Sequence, residues 1–136
     1  MALFGVAEEC GLTAAVAGAL AAPAVDLAGR LTLGGLAGLL ARCQVVVGND
    51  SGPLHLAAAV GAPTVGIYWG QNLIHYGPLT RASHRPFVSW RGAFPVGGDS
   101  ADMAATTAAV SLVAEVSAAA VTAAALALYT SLAADA

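Results

Sequence analysis

Lysine is absent from the 136 residues, and every positive side chain is an arginine, at positions 30, 42, 81, 85 and 91. Any step that needs a lysine is thereby excluded from this chain. Charge of either sign is scarce. Only 10% of the residues are Asp, Glu, Lys or Arg and 58% are hydrophobic, against roughly 25% charged residues in ordinary soluble domains. Much of the surface must then be apolar or covered, and a second domain or subunit is the simplest cover. The net charge of −3 argues against a nucleic-acid partner, because duplex binding draws on clustered Lys and Arg. Arg81, Arg85 and Arg91 form a local patch, better suited to one small anion.

Cysteine is nearly absent too. Cys10 and Cys43 are too few for a disulfide scaffold and too far apart for a metal constellation, so they read as buried thiols of a cytosolic protein and no metal is expected. No basic segment precedes the apolar N-terminus, and Glu8 and Glu9 interrupt it, which speaks against a signal peptide. Residues 116–128 carry no charge, yet Ala, Ser and Thr dominate there instead of Leu, Ile and Phe. A docked helix is expected, not a transmembrane span.

What is present is an alternation of short apolar runs with helical periodicity over residues 1–68, the pattern of an α/β chain with a parallel sheet. Ala2 to Phe4 reads as a strand end, followed by Gly5 and a helix from about Ala7 to Leu20 with Glu8 and Glu9 in its first turn, where acids suit the helix dipole. Ala24 to Leu27 reads as a second strand. Thr32 is a good N-cap for a helix whose Leu33, Leu36, Leu39 and Leu40 share one buried face. Val45 to Val47 predicts an inner strand buried on both faces. Asn49 to Gly52 then forms a turn, Pro53 starts a short helix, Gly61 stops it, and Thr64 to Tyr68 is a further strand. Residues 69–100 show no strong period, and a loop of that length is functional or disordered. Residues 101–134 read as an Ala-rich helical stretch, broken near Ser111 or Ser117.

The turn after the third strand carries the chemistry. Strand, Gly-containing turn and helix together set backbone N–H groups and the positive helix end against an anion, and open α/β sheets bind ligands at the carboxyl ends of their strands. Gly52 lets the backbone approach a diphosphate. The Ser51 hydroxyl can donate to phosphate or cap the helix, and His55 reaches toward the same anion. Asp50 repels phosphate, so its partners are hydroxyls or backbone N–H groups. Each residue also has a plainer reading, Ser51 or Asp50 as a helix cap and His55 as a surface or structural histidine.

Their order adds weight to the functional reading. Val47-Gly48-Asn49-Asp50-Ser51-Gly52-Pro53-Leu54-His55-Leu56-Ala57-Ala58, running on to Pro63, resembles the donor-site signature of the lipopolysaccharide heptosyltransferases, glycosyltransferase family 9. Asp26 to Gly29 and the Thr32/Leu33 helix resemble the segment before that signature; Gly77 to Leu79, His84 to Pro86 and Ser89 to Arg91 resemble the loop after it. The likeness covers roughly residues 1–91. It implies a Rossmann-like parallel sheet with flanking helices, the C-terminal half of a GT-B fold, with an Ala-rich helical tail. Residues 1–100 would be an incomplete donor-binding domain, and 101–136 a helical segment packing on it or on a missing domain.

Carried over by position, Asp50, Ser51, Gly52 and His55 would line a nucleotide-diphosphate sugar of the ADP-heptose kind, and Glu8 or Glu9 would stand near its ribose. The implied reaction is sugar transfer to a lipopolysaccharide or other cell-envelope glycan, without cofactor, in the cytoplasm or at the inner face of the inner membrane. The family's aspartate base lies in an N-terminal acceptor domain that this sequence lacks, as it lacks the opening strand-helix unit with its phosphate-binding lysine. No catalytic residue is therefore assigned. Phe94 to Gly98 falls where some relatives carry a Cys-Pro-x-Cys-Gly element, without the thiols. The alternatives are a non-catalytic nucleotide-sugar module pairing with a separate chain, and a purely structural remnant.

Overall fold

The N-terminal strands pair in parallel: β1 (Ala2–Leu3) lies on β2 (Val25–Asp26) with Ala2 opposite Val25 and Leu3 opposite Asp26. Flanking amides extend the ladder, from Val25 N–H to the Met1 carbonyl and from Leu27 N–H to that of Leu3, both 2.9 Å. A 3-10 turn (Ala7–Glu9) and α1 (Cys10–Ala19) connect the two strands. Asp26 ties this connection down: its Oδ2 accepts the Thr13 hydroxyl of α1 at 2.9 Å and its Oδ1 accepts the Ala28 amide at 3.0 Å. Thr13, in turn, is buried, which a hydroxyl tolerates only with such partners.

In this computed structural model, residues 1–80, 82–89 and 115–134 are described, and the chain divides into two units, Met1–Gly38 and Leu39–Ala136. Helix α2 (Leu33–Leu40) starts as its cap residue predicts, the Gly35 amide donating to Thr32 Oγ1 at 3.1 Å. Its expected apolar face is only partly realised, because Leu40 is fully buried while Leu33 is 75% exposed. Leu33 occupies the first helical position, ahead of the turn that packs.

The second unit is built on β3 (Val46–Asn49), β4 (Thr64–Trp69) and β5 (His84–Ser89), all parallel, with β4 in the middle. Helix α3 (Gly52–Ala59) links β3 to β4, and α4 (Gly70–Tyr76) follows β4 without a break. Side chains alternate across β4 as a strand requires. Val65 and Ile67 face the core shared with Val121 and Leu128 of α5 (Ala118–Ala134). On the other side Gly66 makes room for α3, since a Cβ there would come within 2.7 Å of the Leu54 side chain. Gly61 ends α3 with φ +82°, and the amides of Gly61 and Ala62 return to the carbonyls of Ala58 and Ala57 at 3.1 and 2.9 Å. That pair of bonds is a Schellman stop, and its left-handed residue favours glycine.

Several expectations are corrected. Among the described residues β3 is an end strand and β4 the central one; Val46 is buried, but Val47 is 46% exposed. A run of valines fits a strand covered on one face as readily as on two. Cys10 is exposed and Cys43 half-buried, so neither is a core thiol. Residues 70–89 are not a structureless loop, for they contain α4 and β5. Pro86 disguises β5. The Thr64 amide donates to the Ser83 carbonyl at 2.9 Å, so by alternation the backbone of Pro86 faces away from β4, where no N–H is needed. Helix α5 starts just after Ser117, whose carbonyl and hydroxyl accept the Val121 and Ala120 amides. Arg81, Arg91, Phe94 to Gly98 and residues 101–114, for which the sequence also raises expectations, lie outside the described residues.

Candidate functional site at the carboxyl ends of β3 and β4

Where β3 ends, the ladder continues for one more step, the Asp50 amide donating to the Ile67 carbonyl at 2.8 Å. This bond fixes the chain as it leaves the sheet, beside the end of β4. Ser51 is extended (φ −157°, ψ 165°), and α3 begins at Gly52 with Pro53 second, one residue earlier than Pro53 alone suggests. Asp50, Ser51, Gly52 and His55 therefore share the carboxyl edge of β3 and the first turn of α3.

The Asp50 carboxylate organises this edge. His55 Nε2 lies 2.8 Å from Asp50 Oδ1, and Asn72 Nδ2 donates to Asp50 Oδ2 at 2.6 Å. The side chain of Asp50 is 10% exposed and that of His55 44%. An ionised carboxylate only accepts, so Nε2 carries the proton of this bond and Nδ1 points its lone pair, or a second proton in the imidazolium, elsewhere. Two donors on a nearly buried carboxylate are what its burial demands. Tyr68, buried on the central strand, has its phenol pushed above the ordinary tyrosine value, first by burial and then by the negative charge of Asp50. It stays neutral.

Ser51 and Gly52 behave differently from plain helix-cap residues. The Ser51 hydroxyl donates back to the Asn49 carbonyl at 3.1 Å and makes no capping bond to α3. Gly52 has no left-handed φ, and an added Cβ would meet no atom within 4 Å. Neither backbone nor packing requires glycine there.

Glu8 and Glu9 lie in the first unit, both exposed, in the 3-10 turn after β1. The Glu9 amide donates to the Val6 carbonyl at 3.0 Å and its Oε2 accepts the Val6 amide at 2.9 Å. Its carboxylate thus closes its own turn, and Glu8 has no such bond. Arg85 of the expected basic patch lies on β5, its guanidinium donating to the carbonyls of Ala82 and His84. Among the described residues no group of three or more His, Cys, Asp or Glu side chains is placed to hold a metal ion, and no helix is long and apolar enough to cross a membrane. An apolar hollow of about 290 Å³ lies between β3 and α5, lined by Val45, Val47, Val121, Leu126 and Tyr129 among others, and by none of the candidate site residues.

Sequence reasoning missed Asn72. The signal for it was a polar residue just past the end of the strand beside β3, the position from which open α/β sheets complete a ligand site.

Adjacent parallel strands with helices following each of them define the class of open α/β domains. Residues 2–88 match glycosyltransferase family 9 (heptosyltransferase), and the chain belongs to that family. It is similar to the lipooligosaccharide heptosyltransferase 2 of Haemophilus influenzae, 48% identical over 44 residues that make up 32% of this chain and 13% of that protein. Similarity to the lipopolysaccharide heptosyltransferase 3 of Escherichia coli is 34% over 64 residues, 40% of this chain and 19% of the relative. Among solved structures, the glycosyl transferase family 9 protein of Veillonella parvula shares the fold over 96% of this chain and 36% of its own length, with a TM-score of 0.76 at 24% identity. The E. coli ADP-heptose lps heptosyltransferase II matches 63% of this chain and 27% of its own, with a TM-score of 0.57 at 31% identity. The matches thus span a fifth or less of the curated relatives and about a third of the solved structures. The fold is α/β and Rossmann-like, parallel strands flanked by helices, as in the C-terminal half of a GT-B protein.

Proposed function

We propose that this chain is the donor-binding part of a glycosyltransferase that moves a sugar from a nucleotide diphosphate of the ADP-heptose kind to a lipopolysaccharide or similar cell-envelope glycan. The observation that carries this reading is the turn at Asp50 to Gly52, set at the carboxyl edge of the sheet within the stretch that matches the family. Pro53 has no N–H, and Leu54 and His55 donate to the Ser51 carbonyl, so the amides this turn offers a diphosphate are those of Ser51 and Gly52. The α3 dipole, equivalent to roughly half a positive charge at its N-terminus, favours the same anion. His55 Nδ1 is a further donor in the imidazolium form, the Ser51 hydroxyl becomes one by turning from the Asn49 carbonyl to the phosphate, and Asp50 takes the sugar hydroxyls.

In the transfer an acceptor hydroxyl attacks the anomeric carbon while the bond from that carbon to the diphosphate oxygen breaks, the electron pair leaving with the nucleotide. Amides held in place against the departing diphosphate stabilise the charge that develops there. The hydroxyl proton passes to a base that this reading assigns to an acceptor-binding half, supplied by a further domain or a partner chain. The reading places the reaction in the cytoplasm, at or near the inner face of the inner membrane, and uses no cofactor.

Calorimetric titration of ADP and ADP-heptose into the 136-residue chain tests this. Weak binding of both and no sugar transfer are expected. Measured turnover by the chain alone, or affinity unchanged in Gly52→Val, Ser51→Ala and His55→Ala together, would overturn it.

A further inference from the structure

We infer that Asn72 is a positioning residue, which together with His55 holds the Asp50 carboxylate in the one orientation that recognises the sugar of the donor as distinct from its nucleotide. The inference rests on the donor-domain reading above and adds to it a residue from α4, an element the signature does not contain.

The two donors approach Asp50 from different parts of the chain. His55 comes from α3, which follows β3, and Asn72 from α4, which follows β4. Each takes a different carboxylate oxygen, at 2.8 and 2.6 Å, so rotation of the carboxylate breaks both bonds at once. The backbone of Asp50 is pinned as well, through its amide to Ile67. With the side chain 10% exposed, water is a poor substitute for either donor. Tyr68, a neutral phenol on the strand that leads into α4, adds no charge.

A carboxylate oxygen has two lone pairs. One on each oxygen is occupied by protein, which leaves the others in fixed directions. Asp50 repels the diphosphate and accepts from hydroxyls, so what it reads is the neutral polyhydroxy part of the ligand. The amide of Asn72 suits this task because it donates without adding a charge. A carboxylate in its place would set a second negative group against Asp50, and a lysine would draw the diphosphate toward the sugar subsite.

The test compares ADP with ADP-heptose in the wild-type chain, in Asn72→Ala and in Asn72→Asp, by calorimetry with thermal melts alongside. Asn72→Ala is expected to leave ADP affinity within about twofold of wild type and to lower ADP-heptose affinity about tenfold, toward that of ADP. Asn72→Asp is expected to show the same selective loss at neutral pH and to recover ADP-heptose affinity at acid pH, where one proton shared between the two carboxyl groups restores a donor. A purely structural role would instead lower both affinities together with the melting temperature, or change none, and either result overturns the inference. A ligand-free arm separates its failure from that of the parent reading. The Asn72 side-chain amide resonance should be shifted downfield in wild type and should lose that shift in Asp50→Asn. If wild type binds neither nucleotide, the donor-domain reading falls and takes the sugar role of Asn72 with it, while an unshifted amide would show the clamp itself to be wrong.

Discussion

Two strand-to-helix junctions in this chain each place a carboxylate just past a parallel strand, and the two carboxylates are used in opposite ways. After β1, Glu9 is exposed and bonds the amide of Val6, three residues back. After β3, the Asp50 side chain is nearly buried and is held by side chains from two helices, one of them 22 residues away. A carboxylate that closes its own turn serves local structure and is replaceable by any cap. One held by remote partners at a sheet edge is costly to bury and is kept in a defined direction, as a binding site requires. The same contrast separates Thr32, whose hydroxyl caps α2, from Ser51, whose hydroxyl caps nothing.

The contrast breaks most readily at Asp50. Asp50→Ala leaves the donors on His55 and Asn72 without their acceptor and is expected to cost about 1–3 kcal/mol of stability and to lower ADP-heptose affinity to that of ADP; Glu9→Ala should cost about 1 kcal/mol or less, as for loss of a cap. Chemical denaturation of both variants measures the difference, and equal losses would erase the distinction between the junctions. Ser51→Ala comes next. With no capping bond to lose, it should change stability by clearly less than the roughly 1 kcal/mol of a true cap, while ADP binding weakens by about 1–3 kcal/mol. Thr32→Ala, by contrast, should show the full cap penalty in the same melts.

A smaller effect is expected at His84. Its ring is buried against Thr64, Nδ1 lying 2.8 Å from Oγ1, and its pKa lies below the ordinary imidazole value because of burial first and the charge of Arg85 second. A histidine with a lowered folded pKa binds its proton more readily when unfolded. Its contribution is therefore complete above the ordinary histidine range and is lost as pH falls through that range toward the lowered folded value. Melting temperatures at pH 7.5 and 5 should converge in His84→Gln relative to wild type; an unchanged gap would assign the acid sensitivity to other groups. The smallest effect is that of Glu8→Ala, which should leave the melt unchanged.

How far the sequence carries follows from the same contrast between local and remote partners. The Thr32 cap, the Gly61 stop and the β3-turn-α3 unit were legible because each is decided by a few consecutive residues and their backbone bonds. The Asp50, Ser51, Gly52 and His55 group was legible for the same reason, being one contiguous motif. Helix α4 was not. Its seven residues begin with Gly, Gln and Asn, lack an apolar period and take their place from packing beside β4 and β5. Asn72 was hidden with it, since its partner is 22 residues distant. Strand β5 was masked by Pro86, which only its position facing away from β4 makes acceptable. The valines of β3 gave the strand but not its burial, because what covers a strand is set by its neighbours.

Titration of ADP into the wild-type chain and Gly52→Val tests the central claim most directly, because a Cβ at Gly52 meets no protein atom within 4 Å and glycine is not needed there for a left-handed turn. The melting temperature should hardly move, and ADP binding should disappear, since the side chain would stand where the diphosphate must meet the backbone. Undiminished ADP affinity in a normally folded Gly52→Val would contradict the account and remove the donor site from this turn.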